Sequence, residues 1–139
     1  MTGRQILWTS IIISITFMSC DPGLINGYVV KNESSYIIKS DVRLDEGRRA
    51  SNDDSIYTVK INPKSLVKII EYGEIGNAHD KKQSFLEAFD TISISSGELL
   101  FNTGFTDRKN WQYKVINRGL FSLDKVEYIL VIKNENFTQ

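Results

Sequence analysis

Val126-Glu127-Tyr128-Ile129-Leu130-Val131-Ile132-Lys133 decides the fold class. The stretch is dominated by β-branched and aromatic residues, and it is apolar on both of the faces that a two-residue period generates. Such a segment reads as a central strand with neighbours on either side. Working outward from it, shorter runs of the same kind recur between turn residues. Trp111-Gln112-Tyr113-Lys114-Val115-Ile116 alternates, with Trp111, Tyr113 and Val115 on one side. Asp90-Thr91-Ile92-Ser93-Ile94-Ser95 points Ile92 and Ile94 inward, and Ser96-Gly97 turns the chain into Glu98-Leu99-Leu100-Phe101.

Nearer the N-terminus the strand runs are Gly27-Tyr28-Val29-Val30-Lys31, Ser35-Tyr36-Ile37-Ile38-Lys39, Ile56-Tyr57-Thr58-Val59-Lys60-Ile61 and Leu66-Val67-Lys68-Ile69-Ile70-Glu71-Tyr72. Asn62-Pro63-Lys64-Ser65 makes the turn between the last two. Asp41 to Asp54 reads as a charged loop, Gly73 to Gln83 as an exposed loop, and Ser84-Phe85-Leu86-Glu87-Ala88-Phe89 as one helical turn. No sustained 3.6-residue apolar period occurs. The expectation is an all-β domain over residues 27–139, an antiparallel β-sandwich of about seven or eight short strands.

The N-terminus has a different logic. Arg4 precedes an uncharged run from Ile6 to Met18, and small Ser19 leads into Cys20, the one cysteine of the chain. A basic start, an apolar centre and a small residue before the cut describe a signal peptide. The run is shorter than the roughly 20 apolar residues of a membrane-spanning helix. It is also interrupted by Thr9, Ser10, Ser14 and Thr16 and ends at Pro22-Gly23. Residues 1–19 are therefore assigned to a cleaved leader and residues 20–26 to a short tether.

Phe17-Met18-Ser19-Cys20 resembles the lipobox of bacterial lipoproteins, with Phe17 where that family usually has leucine. The resemblance implies a diacylglyceryl group on the Cys20 thiol, cleavage before it, and anchorage to a membrane. It also accounts for a lone cysteine in a secreted chain, since a thioether leaves no free thiol to oxidise. The whole mature chain resembles small Bacteroidota lipoproteins with a single β-sandwich of unknown function. The resemblance is carried by Val30-Lys31-Asn32-Glu33-Ser34, Ile61-Asn62-Pro63, Phe89-Asp90-Thr91-Ile92 and Asn110-Trp111. It implies a cell-envelope protein held at the outer membrane, and it brings no catalytic set with it. Asp21 stands alone after the cysteine, without the acidic run that resembles a surface-export signal, so the periplasmic face is expected.

Cleavage before Cys20 removes 19 residues and leaves 120 of the 139, with 16 basic and 17 acidic side chains. That balance argues against a nucleic-acid partner, which calls for a clustered basic patch. His79-Asp80 is the one histidine pair available for general-base chemistry, but no Gly-x-Ser-x-Gly elbow accompanies it, and it reads as a solvated loop. One histidine and a lipidated cysteine do not supply a zinc ligand set. Asn52-Asp53-Asp54-Ser55 lacks the spacing of a calcium loop. No catalytic residue, metal or cofactor is expected.

Trp111 and Tyr113 are the candidates for an aromatic binding surface toward a carbohydrate or protein, against a plain core role. Ser55 and Thr91, each after an aspartate, resemble Bacteroides-type O-glycosylation acceptors. The functional expectation is a membrane-anchored binding or structural accessory module. A small periplasmic hydrolase without a recognisable motif is the alternative.

Overall fold

A computed structural model describes residues 22–48, 56–97, 99–119 and 123–138. In chain order its strands are β1 (Gly23–Asn32), β2 (Ile38–Leu44), β3 (Tyr57–Ile61), β4 (Ser65–Ile75), β5 (Phe89–Ser95), β6 (Leu100–Phe101), β7 (Trp111–Asn117), β8 (Asp124–Ile132) and β9 (Phe137–Thr138). A four-stranded sheet, ordered β4-β1-β8-β7, faces a three-stranded sheet ordered β3-β2-β5, and β6 pairs with β9 as a small ribbon. The all-β sandwich expected from the sequence is therefore the observed architecture.

One pairing departs from the antiparallel pattern. β1 and β8 run parallel, from Leu24 beside Asp124 to Asn32 beside Ile132, so the larger sheet is mixed. The strand that decided the fold class does sit centrally, between β1 and β7. Val126, Tyr128, Leu130 and Ile132 face the core, while Ile129 and Val131 are half-buried on the outer side.

The core is one cluster fed by both sheets. Tyr28 lies at its centre, its ring stacked with Tyr128 at 5.2 Å and with Tyr72 at 6.1 Å. Phe89 of the opposite sheet meets the Tyr28 ring edge-on at 4.6 Å, and Trp111 does so at 6.0 Å. Such edge and offset arrangements are the favoured ones for aromatic quadrupoles.

Several boundaries shift for physical reasons. β1 begins at Gly23, so residues 23–26, assigned to a tether, belong to the strand instead. Leu24 and Asn26 both point inward, and Gly27 lies within the sheet rather than starting it, paired with Glu71 on one side and Glu127 on the other, where an added Cβ would come within 3.2 Å of the Glu127 side chain. β2 starts at Ile38 and runs through Asp41 and Arg43, which had read as loop. Their charges face out, where Asp41 accepts from Thr58 at 2.6 Å and Arg43 meets Asp90 at 2.5 Å, while Ser40 and Val42 fill the core positions between them. The charges conceal an ordinary two-residue alternation.

Trp111 is 3% exposed, and its indole Nε1 donates to the Phe105 carbonyl at 2.6 Å. Trp111→Ala is expected to lower stability by about 3–5 kcal/mol, from lost contact and a residual cavity. Urea denaturation of the variant beside the wild type measures this directly.

Candidate functional site

Among the described residues two regions stand out for their polar side chains, one inside the fold and one at its end. The inner one lies under residues 76–88, the segment between β4 and β5. That segment contains a 3-10 turn (Lys82–Ser84) and buries Phe85 and Ala88. Three hydroxyl and carboxylate groups hold it down. The Tyr28 hydroxyl donates to the Phe85 carbonyl, the Tyr128 hydroxyl accepts from the Lys81 amide at 2.9 Å, and Asp124 accepts from the Ala78 amide at 2.7 Å.

Lys81 turns inward, with its side chain 6% exposed. Its ammonium meets Glu74 at 2.7 Å and the Tyr72 hydroxyl at 3.3 Å, and it lies over the Tyr72 ring. Asn26 donates to the other Glu74 oxygen at 2.9 Å. Burial opposes the charge of Lys81, but Glu74 and Tyr72 outweigh it and hold the pKa above the ordinary 10.5. Burial likewise opposes ionisation of Glu74, and the bonds from Lys81 and Asn26 outweigh it, leaving the carboxyl below its usual 4.5. Burial pushes the Tyr128 hydroxyl up to about 12 and raises Tyr28 as well, chiefly by desolvation and then by its tyrosine neighbours. All four groups are thus fixed in the charge state they hold at neutral pH. The arrangement suits holding a segment in place rather than passing protons.

Arg108 extends the hold to β7. Its guanidinium takes Asp80 in a two-pronged bond at 2.9 and 2.7 Å, donates to the Trp111 carbonyl, and lies over the Tyr128 ring. The bonds from Arg108 keep Asp80 below its ordinary value of 3.8. His79 beside it is exposed, with Nδ1 hydrogen-bonded to the Asn77 carbonyl at 2.8 Å. Residues 73–83 had read as an exposed loop throughout. Gly73 to Ile75 instead extend β4, and Lys81 is the buried exception.

The second region is an open groove of about 620 Å³ at the end of the sandwich where β1 and β8 finish and β4 begins. Lys31, Lys64 and Lys133 stand around it with Glu33, Glu135 and Leu66. Lys31 pairs with Glu33 at 2.6 Å and holds that carboxyl below its usual range, and Lys64 donates to the Glu33 carbonyl. Leu66 is 60% exposed. Beneath them Asn32 is fully buried: its amide donates to the carbonyls of Tyr36 and Asn62 at 2.8 and 3.1 Å, and its oxygen accepts the Ser34 hydroxyl at 2.6 Å. Val30-Lys31-Asn32-Glu33-Ser34 is therefore the structural knot of this end. Lys64 takes a positive φ of 58° as the third residue of its turn, a conformation that favours glycine.

The other candidates fall out separately. Trp111 and Tyr113 both face inward, and the Tyr113 ring packs on Tyr128 at 5.4 Å, so no stacking platform forms from them. Thr91 lies half-buried in β5 opposite Arg43. Cys20, Ser55 and the Asn52-Asp53-Asp54 carboxylates lie outside the described residues. Among the described residues no three His, Cys, Asp or Glu side chains converge as a metal set. Comparison with known proteins adds no relative: no family model matches the chain, and no curated protein or solved structure is detectably similar.

Two outcomes follow. Lys81→Met leaves Glu74 without its cation and is expected to destabilise the fold by about 3–5 kcal/mol in chemical denaturation. Glu74 contributes fully above its unfolded value near 4.5, and that contribution is lost as pH falls through its lower native value. The stability curve should therefore drop on the acid side of pH 4.5, and Glu74→Gln should flatten that limb while lowering the neutral plateau.

Proposed function

We propose that the chain is a cell-envelope lipoprotein, anchored through a diacylglyceryl group on Cys20, whose sandwich carries a binding groove for a protein partner. One observation supports this reading above others, the placement of chain start and groove at opposite ends of β1. Pro22 and Gly23 stand at one end, and Asn32, under the groove, at the other. Ten strand residues at about 3.3 Å each hold the two roughly 30 Å apart. A module built this way presents its groove away from the membrane that holds it; we take that membrane to be the outer one and the groove to face the periplasm, a reading that the resemblance to small envelope lipoproteins supports.

The groove chemistry supports binding rather than hydrolysis. Its volume falls in the range of ligand sites, and its ammonium groups have carboxylate or carbonyl partners close by. An apolar Leu66 among alternating charges suits a protein segment of mixed charge, and Trp111 and Tyr113, both turned inward, offer no ring face to a sugar.

The anchor is tested by feeding a palmitate analogue to cells making the wild type or Cys20→Ala. Label on the wild type alone is expected, and equal label on both overturns the anchor. The groove is tested by a photo-crosslinking amino acid placed at Leu66 or, on the outer sheet face, at Gln112. A discrete protein adduct is expected at position 66 and should vanish with Lys64→Glu plus Lys133→Glu. Adducts absent at 66, or equal at both sites, overturn the groove.

A further inference from the structure

The end of the sandwich opposite the groove carries an apolar rim around the first residue of β1. Ile75 is 77% exposed and Leu123 is 53% exposed, the first of these the most exposed large apolar side chain among the described residues. They are not scattered. Ile75 pairs with Gly23 across β1 and β4, and Leu123 lies down over Gly23 from the other side, where a Cβ would sit 2.3 Å from its methyl carbon. Glycine at this one position lets Leu123 close the gap, so Ile75, Gly23 and Leu123 form a continuous apolar row. Asp124, next to Leu123 in the chain, is engaged by the amides of Ala78 and Gly119 at 2.7 and 3.2 Å, and on the other side of the row Ile75 borders a polar cleft with Glu74, His79 and Lys82.

The chain reaches this rim directly from its N-terminal segment. The Pro22 carbonyl accepts from the Gly76 amide at 2.8 Å, which pins the start of the domain beside Ile75. Only Asp21 separates Pro22 from Cys20, a distance of at most about 7 Å along the chain. A gap of that size is smaller than the roughly 10 Å diameter of a helix. No folded partner fits between the rim and whatever surface Cys20 enters.

We infer that the Ile75–Gly23–Leu123 rim is a membrane-docking surface, which rests on the bilayer with both side chains in the headgroup region and fixes the sandwich upright. The inference rests on the lipid anchor proposed for Cys20. Apolar side chains seated at that depth add hydrophobic area to the acyl chains, and two signals hold a protein more firmly than one. The rim also turns a single-point attachment, free to swivel, into one with a defined tilt. The parallel pairing of β1 with β8 is what brings Gly23 and Leu123 to the same end.

The test uses the full chain, processed in cells, purified in detergent and reconstituted into vesicles of phosphatidylethanolamine and phosphatidylglycerol containing brominated acyl chains. Tryptophan is placed at the rim (Ile75→Trp) or at the groove end (Leu66→Trp), two exposed positions that leave the core untouched. Both variants share the buried Trp111 as a common background. The expected result is bromine quenching of the added emission at least about threefold stronger at position 75 than at position 66, as befits a side chain at interfacial depth. Intact mass of the same samples reads the anchor. A lipidated chain with equal quenching at the two positions, or stronger quenching at 66, overturns the docking rim alone. A chain whose mass shows a bare Cys20 overturns the anchor and the rim together.

Discussion

The parallel pairing of β1 with β8 is the constraint from which the rest of the molecule follows. It joins the first and last long strands of the described chain and makes both of them central, with β4 and β7 as the flanking edges. Tyr28 comes to lie beside Tyr128 and Val30 beside Leu130. Parallel pairs are ordinarily covered on both faces. Here the outer face has no second layer among the described residues, and long charged side chains do the covering instead. Glu71 takes Lys125 at 3.0 Å as well as Lys68, and Val29 beneath is 1% exposed. The aliphatic stems of such residues shield apolar surface while their heads stay in water. Gly27 leaves the space in which Glu71 and Glu127 approach one another across the strand.

Residues 76–88 cross over the two tyrosines that this pairing sets side by side, and bury Phe85 and Ala88 there. Tyr28 and Tyr128 project their hydroxyls from the sheet, and each finds a backbone group of the crossing segment. A buried hydroxyl or amide left without a partner costs about 1–3 kcal/mol, so these bonds select one path for the segment among many. Lys81 then follows from the path. Once its amide is held by Tyr128, its side chain is directed beneath the segment to Glu74, and Asn26 completes the carboxylate's partners from β1. Replacing either partner would strand the other charge under a segment that has little regular structure of its own, so the pair ties that segment to β4.

The strands, their alternation and their assembly into a sandwich were legible because the two-residue period survives wherever one face is buried. Trp111, Tyr113 and Val115 share a face as their spacing implies, and Ile92 and Ile94 point inward. The period was obscured where outward positions bear charges, as at Asp41 and Arg43, and where a glycine reads as a boundary, as at Gly27. The parallel pairing was read as antiparallel because the apolar run of β8 marks a central strand without naming its neighbour, and every other pairing among the described residues is antiparallel. The buried cluster was hidden for a further reason. Lys81 and Glu74 are ordinary loop and strand charges until tertiary contacts turn them inward. Asn26 alone carried a signal, as a polar residue in phase with Leu24 and Tyr28 on an inward face.

The groove end shows how a rigid floor and adaptable walls arise from one short motif. Asn32 has two amide hydrogens yet three carbonyls within reach, those of Tyr36, Asn62 and Ile61 at 2.8, 3.1 and 3.3 Å, so one hydrogen is shared. Its oxygen takes both the amide and the hydroxyl of Ser34. One side chain thereby fixes the end of β1, the approach to β2 and the turn into β4, all at zero exposure. The lysines above it are the opposite case, long and mostly solvated, with ion pairs that water screens to a small net contribution. A partner meeting this end would find a backbone held from beneath by Asn32 and ammonium groups that re-aim at little cost. Lys64 joins the two, because its left-handed backbone is set by the turn while its ammonium closes on the Glu33 carbonyl. The strain at that residue, of the order of 1 kcal/mol for a side chain in place of glycine, is sustained by the knot that Asn32 ties beneath it.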